Sequence, residues 1–464
     1  MKHIFYLFAA ALTLAACTME ILPEESTNNK TVFTVSMENN PVSKAILDLN
    51  GSSKPQTFWE DGDAINVFTS ADADGEGKVS GAGYEFTTTL GANATSAEFA
   101  YAGAFTVGKT FAIYPYRSHA RGVNYSGSDG TYRMAGVKIP ESQTLVAGSF
   151  DKMAGVMVAY AESGTTLEFK NAVALLKFQV AESGIKGGCV MVDQSDAIAG
   201  TFRADINTST YALSLEKYSG TTTYDYVTFT IDGSTNLSTG TDYYVAVRPT
   251  ALTSSLKIYL NGNLVKTISQ SNLPAIERNK IYNLGTLTTP ANPAQKALIF
   301  DFTKPALTGW PTADKWKSSA GEQSCEYPLY GTSYNFFLTD VGNASQARVF
   351  WDATGLKLNA GWRYVGLPAI SGYKLVSVSG VHCTSDNSKR KAAISTNVAA
   401  TNSGTTIDAA HTFVTGGEAQ AWATQGNTYR YNLSGTAANT MYYFMCYATG
   451  LGTYNLELIY DKVD

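Results

Sequence analysis

The chain has 464 residues, with 44% hydrophobic and 16% charged side chains, so it has room for about three domains with their own cores and is not a disordered polypeptide. Its formal net charge is −5, and the one Lys/Arg cluster is Lys389-Arg390-Lys391, which excludes nucleic acid as a partner. Its 28 Tyr and 21 Phe, with abundant Thr and Val, favour strands over helices.

The chain opens with Lys2 and His3 and an apolar run from Ile4 to Leu14, too short to span a bilayer as a helix and suited to a signal peptide. Leu14-Ala15-Ala16-Cys17 follows and resembles a bacterial lipobox. That resemblance implies removal of residues 1–16, acylation of Cys17 and an outer-membrane protein held by its N-terminus, the covalent lipid being its only non-protein group. Thr18 to Lys30 carries Glu20, Glu24, Glu25 and a proline with few apolar residues; it reads as a tether spanning 17–30.

From Thr31 onward, short strand-like runs alternate with Gly, Asn, Asp and Ser clusters, and no stretch of ten or more residues has convincing helical periodicity. The expected fold is all-β. Thr31–Val35, Ala64–Phe68 and Thr110–Tyr114 are strands of the first third. Leu167 to Val180 is apolar enough for one strand buried on both faces, and Asn171 argues against a long helix. Leu256–Leu260 and Leu264–Ile268 flank Asn261-Gly262-Asn263, a hairpin signal because Asn-Gly accepts positive φ. Thr288 to Gln295 contains two prolines and no large apolar residue and reads as a linker; five of the six tryptophans follow it, marking a separate domain from about residue 296.

Four motifs occur in order: Phe58-Trp59-Glu60-Asp61-Gly62-Asp63-Ala64-Ile65-Asn66-Val67, Phe111–Tyr116, Phe169–Phe178, and Lys280-Ile281-Tyr282-Asn283-Leu284. Behind a lipobox, this series resembles the fimbrillin-like proteins of Bacteroidales over about residues 31–288. The resemblance implies two tandem Ig-like or transthyretin-like β-sandwiches, 31–163 and 164–288, before a linker at 289–295. It also implies assembly by strand exchange, in which removal of the N-terminal lipidated segment opens a groove that a strand from another subunit fills. Characterised members are cut by an Arg-specific protease, yet no arginine lies between Cys17 and Arg117. Either another protease acts near Lys30 or Lys44, or the lipid and first strand stay in place. Gly366–Leu375, Asn439–Phe444 and Tyr454–Tyr460 resemble galactose-binding-like jelly-roll modules, implying such a domain over 296–464.

The carboxylates of Glu60, Asp61 and Asp63 read as structural: Asp61-Gly62 turns the chain, Trp59 packs beneath, and Ile65 and Val67 point inward. Ser70 to Gly75 imitates the start of a calcium loop, but Gly81 stands where a bidentate Glu is required. Cys189, Cys325, Cys383 and Cys446 follow no metal-binding spacing; in an exported protein Cys383 could pair with Cys446 or Cys325, and isolated buried thiols are the other reading. His119, His382 and His411 form no metal motif, and no nucleophile, base or phosphate loop is assembled, so no enzyme, catalytic residue or metal is expected. Trp310, Trp316, Trp362, Arg363 and Trp422 are the candidates to meet a host or bacterial glycan, with Trp351 in the core. The expected function is an accessory, tip-like or anchor-like adhesion subunit; the alternative is a glycan-binding surface lipoprotein that never polymerises.

Overall fold

The computed structural model describes residues 30–38, 58–69, 83–118, 120–126, 130–193, 196–218, 220–232, 235–311, 323–340, 349–352, 354–358, 363–384, 390–398, 412–421, 425–448 and 450–463. The first ten strands are β1 (Thr31–Met37), β2 (Ala64–Thr69), β3 (Tyr84–Thr88), β4 (Ser96–Tyr101), β5 (Thr110–Tyr114), β6 (Arg121–Ser126), β7 (Thr131–Ile139), β8 (Ser142–Leu145), β9 (Met157–Ala161) and β10 (Thr166–Asn171). Seven of them, in the order β1-β10-β9-β5-β2-β3-β4, close a barrel, which leaves that ring without a free edge. Phe33, Val35, Trp59, Ile65, Val67, Phe86, Phe99, Tyr114 and Phe169 fill it.

Strand β5 shows why these segments lack a polar alternation. Ala112 and Tyr114 point into the barrel, whereas Phe111 and Ile113 join a second core, so both faces are covered and every residue of the strand is apolar or paired. The second core belongs to β11 (Ala174–Val180), β12 (Gly187–Met191), β13 (Ala199–Asn207), β14 (Leu213–Glu216), β15 (Thr223–Tyr224), β16 (Tyr226–Ile231), β17 (Tyr243–Val247), β18 (Leu256–Leu260), β19 (Asn263–Ile268) and β20 (Ile281–Leu287). Here the chain departs from the expected boundary at 163/164. Strand β7 pairs with β13 and carries β6 at the sheet edge, and β8 pairs with β16, so residues 121–145 leave the barrel for the second unit before β9 and β10 return to it. The single strand expected over 167–180 is likewise two: β10 ends at Asn171 in the barrel, and β11 begins at Ala174 between β17 and β20. Asn171 makes the break, its side-chain oxygen accepting the Val173 N–H at 3.3 Å.

The third unit comprises β21 (Gln295–Asp301), β22 (Gln323–Leu329), β23 (Thr332–Asp340), β24 (Val349–Asp352), β25 (Gly355–Leu358), β26 (Arg363–Gly366), β27 (Tyr373–Val381), β28 (Arg390–Ser395), β29 (Gln420–Ala421), β30 (Thr428–Asn432), β31 (Tyr443–Ala448), β32 (Leu451–Thr453) and β33 (Asn455–Lys462). One sheet runs β22-β23-β26-β31-β28-β29, and another carries β30-β27-β33-β21. Phe300, Phe336, Trp351, Val365, Tyr431, Phe444 and Leu458 belong to their shared core.

The expected linker does not separate two independent bodies. Strand β21 continues the sheet of the second unit through β19, with Asn263 opposite Lys296, and the Ala297 N–H donates to the Gly262 carbonyl at 2.9 Å. Cys189, Met191, Tyr226 and Tyr259 from one side pack with Ala297, Ile299 and Ile459 from the other. The Asn455 amide donates to the Tyr226 hydroxyl at 2.6 Å. Residues 288–294 form a loop between β20 and β21; docking depends on apolar residues scattered over the flanking units.

Candidate assembly site

Strand β1 is the first element of the barrel in chain order. It pairs antiparallel with β4, Phe33 opposite Phe99, and parallel with β10, Val35 opposite Leu167. Its alternation places Phe33 and Val35 inside with no exposed surface, while Thr34 faces outward. The Phe33 ring meets Phe86 edge-on at 5.3 Å. Burying these two side chains contributes about 1.5–3 kcal/mol each, and the backbone is held on both flanks.

Beyond Met37 the strand ends in a charged contact. The Glu38 N–H donates to the Phe169 carbonyl at 2.9 Å. The Glu38 carboxylate accepts from the Asn171 backbone N–H at 2.7 Å and from Arg278 Nη1 at 2.8 and 3.1 Å. Arg278 Nη1 also donates to the Asn171 carbonyl at 3.2 Å. The two partners keep 14% and 30% side-chain exposure. A cleft of about 570 Å³ opens beside them, with Glu38, Glu216, Arg248, Arg278 and Asn279 among its lining residues. Sequence reading missed this pair because 240 positions separate its members and neither lies in a motif.

The acidic trio occupies the opposite role from a reactive site. Gly62 adopts a φ of 75° in the turn, and Asp61 accepts from the Leu90 N–H at 2.9 Å. Asp63, 1% exposed, accepts from the Glu60 N–H at 2.8 Å and the Tyr114 hydroxyl at 3.1 Å, and pairs with Lys152 Nζ at 2.7 Å. Burial pulls the Lys152 ammonium down, but its bonds to Asp63 and Glu60 outweigh that and hold it above the ordinary lysine value. Burial, reinforced by Asp63, pushes the Tyr114 hydroxyl well up. Trp59 packs beneath, edge-on to Phe99, Tyr114 and Phe169, and Ile65 and Val67 are fully buried. Among the described residues, no group of three or more His, Cys, Asp or Glu side chains is placed to hold a metal, and no helix is long and apolar enough to cross a membrane.

Two of the five glycan candidates are withdrawn. Trp310 is 4% exposed; its indole donates to the Glu326 carbonyl at 2.7 Å and its ring stands edge-on to Trp351 at 5.3 Å. Arg363 is 1% exposed, in a strand paired to β23 and β31. Neither presents a surface to a sugar: the Trp310 indole packs from a bend into the third core, and Arg363 is sealed on a strand between two others. Trp316, Trp362 and Trp422 lie outside the described residues, as do Cys17, His119, His411, Lys44 and the Ser70–Gly75 segment. Trp351 is in the core, its indole donating to the Phe302 carbonyl at 2.9 Å. Cys189, Cys325, Cys383 and Cys446 are all free and buried; burial pushes the Cys325 and Cys446 thiols up to about 11. His382 is buried too, and burial lowers its imidazole to about 4.

The described part of the chain is thus an all-β protein of three sheet-built units, closed at its first unit by an N-terminal strand. No family model matches the chain, and no curated protein does. Among solved structures it is similar to a proposed cell adhesion protein from Bacteroides uniformis, at 16% identity and a TM-score of 0.30, covering 56% of this chain and 93% of that one. A proposed cell adhesion protein from Bacteroides ovatus is similar at 14% identity and a TM-score of 0.29, covering 56% and 94%. A fimbrial protein from Bacteroides ovatus is similar at 10% identity and a TM-score of 0.26, covering 71% of this chain and 57% of that one.

Proposed function

We propose that the chain is a surface lipoprotein of the fimbrillin type, serving as an accessory fimbrial or adhesion subunit at a tip or an anchor. The observation that carries this reading is the seating of β1. The strand that completes the barrel lies on the same short N-terminal segment as Cys17, separated from it only by Thr18 to Lys30. One cut beyond β1 would therefore release the lipid and, once β1 departs, open a slot between β4 and β10. The lack of any arginine between Cys17 and Arg117 favours a chain that keeps its lipid and β1, or one processed after a lysine.

Intact-mass measurement of the protein extracted from native membranes tests the reading. Acylated Cys17 joined to the rest of the chain identifies the anchored form, and loss of the residues up to Lys44 with co-isolated pilin subunits identifies the matured form. An unacylated, soluble chain with no associated subunit overturns the proposal.

A further inference from the structure

We propose that the Glu38 contact selects the strand that takes the place of β1. The partner is an extended segment of another polypeptide with inward apolar side chains at positions one and three and a carboxylate at position six, as Phe33, Val35 and Glu38 are spaced. This rests on the strand-replacement reading above and adds a rule for the occupant.

The apolar part of the slot discriminates poorly, since many strands present alternating apolar side chains. The charged end is different. Both groups that meet the Glu38 carboxylate, the Asn171 N–H and the Arg278 guanidinium, belong to the receiving side. They are held independently of β1: Arg278 also donates to the Asn171 carbonyl at 3.2 Å, and the Asn171 side chain donates to Asn279 Oδ1 at 3.3 Å while accepting the Val173 N–H. An anion site therefore persists when β1 leaves, and a neutral occupant leaves the guanidinium without a charge partner and offers the Asn171 N–H a weaker, uncharged acceptor. Register delivers the carboxylate there. Parallel pairing sets Ser36 against Glu168 and Met37 against Phe169, and a slip of one residue would turn the apolar side chains to solvent. The cleft beside Arg278 gives the incoming carboxylate room to enter.

The test uses the full chain carrying a specific protease site in place of Ser43-Lys44, cut and then offered labelled peptides of the residue 31–38 sequence. The native peptide should bind, and the peptide with Glu38→Gln should bind roughly tenfold to a hundredfold more weakly. In the Arg278→Glu chain, a Glu38→Lys peptide should be preferred over the native one. In the milder Arg278→Gln chain, which keeps a hydrogen-bond donor, the Glu-over-Gln preference should collapse. Equal affinity of the unaltered chain for the Glu and Gln peptides overturns the selection rule and leaves strand replacement standing. No binding of the native peptide by a chain shown to be cut overturns strand replacement and this proposal together.

Discussion

Asp61 and Asp63 stand two positions apart in one acidic motif and have unlike duties. Asp61 makes a single exposed hydrogen bond to Leu90, and Asp61→Ala should cost about 1 kcal/mol or less. Asp63 gathers the Glu60 N–H, the Tyr114 hydroxyl and Lys152. Asp63→Ala removes the buried acceptor of the Glu60 N–H and the Tyr114 hydroxyl, while Lys152 keeps Glu60, and should cost roughly 2–3 kcal/mol, measured by urea unfolding of the two variants. His382 makes a prediction in pH. Its buried imidazole titrates at about 4 against an ordinary 6.5, so the unfolded chain takes up the proton first. The contribution of neutral His382 is fully present above pH 6.5, falls away between 6.5 and 4, and is constant below. Its size is on the order of 3 kcal/mol. His382→Gln should flatten that part of the stability profile; an unchanged slope would show that carboxylates alone govern acid unfolding.

At the scale of elements, the hairpin of β18 and β19 was legible from its turn. Asn261 and Gly262 take φ of 45° and 78°, the pair of left-handed conformations that a two-residue turn of this type requires. A Cβ at Gly262 would also come within 2.9 Å of Leu298, because the hairpin tip docks on β21. Gly262→Val should therefore destabilise by roughly 1–2 kcal/mol from backbone strain and loosen the joint to the third unit, seen as faster amide exchange in β21. The split of residues 167–180 was not legible. Strand β10 alternates buried Leu167 and Phe169 with outward Glu168 and Lys170, whereas β11 is mostly buried, and a change from one pattern to the other does not by itself show that the chain has crossed to another sheet. Only the Asn171 contacts decide where it breaks.

For the whole molecule, the joint between the second and third units holds a buried ionic group beside its apolar contacts. Arg430 donates to Asp225 at 2.6 Å and lies 3.3 Å from Glu457, with side-chain exposures of 17%, 8% and 3%. Burial, then the Glu457 charge, holds the Asp225 carboxyl well above its ordinary range. Arg430→Met leaves two buried carboxylates without a cation and should cost roughly 3–5 kcal/mol. The loss should grow as pH rises and both acids ionise. Calorimetry should then show the third unit melting apart from the other two, whereas one unchanged transition would show that apolar contacts alone hold the joint. The motif order made the N-terminal strands, the turn at Asp61-Gly62 and the core role of Trp59 readable, and the apolar neighbours Val349 and Phe350 did the same for Trp351. The glycan candidates Trp310 and Arg363 failed because residue type cannot tell an indole or guanidinium sealed between sheets from one displayed on a surface.

Local chemistry was enough to determine an all-β chain and its principal turns, since alternation and turn residues are properties of neighbours in sequence. Tertiary structure alone decided that residues 121–145 cross into the second unit, that the third unit is welded through β19 and β21, and that Glu38 meets Arg278. Those features depend on which distant surfaces bury each other and which charges meet, and such pairings leave no mark on either partner's own stretch of sequence.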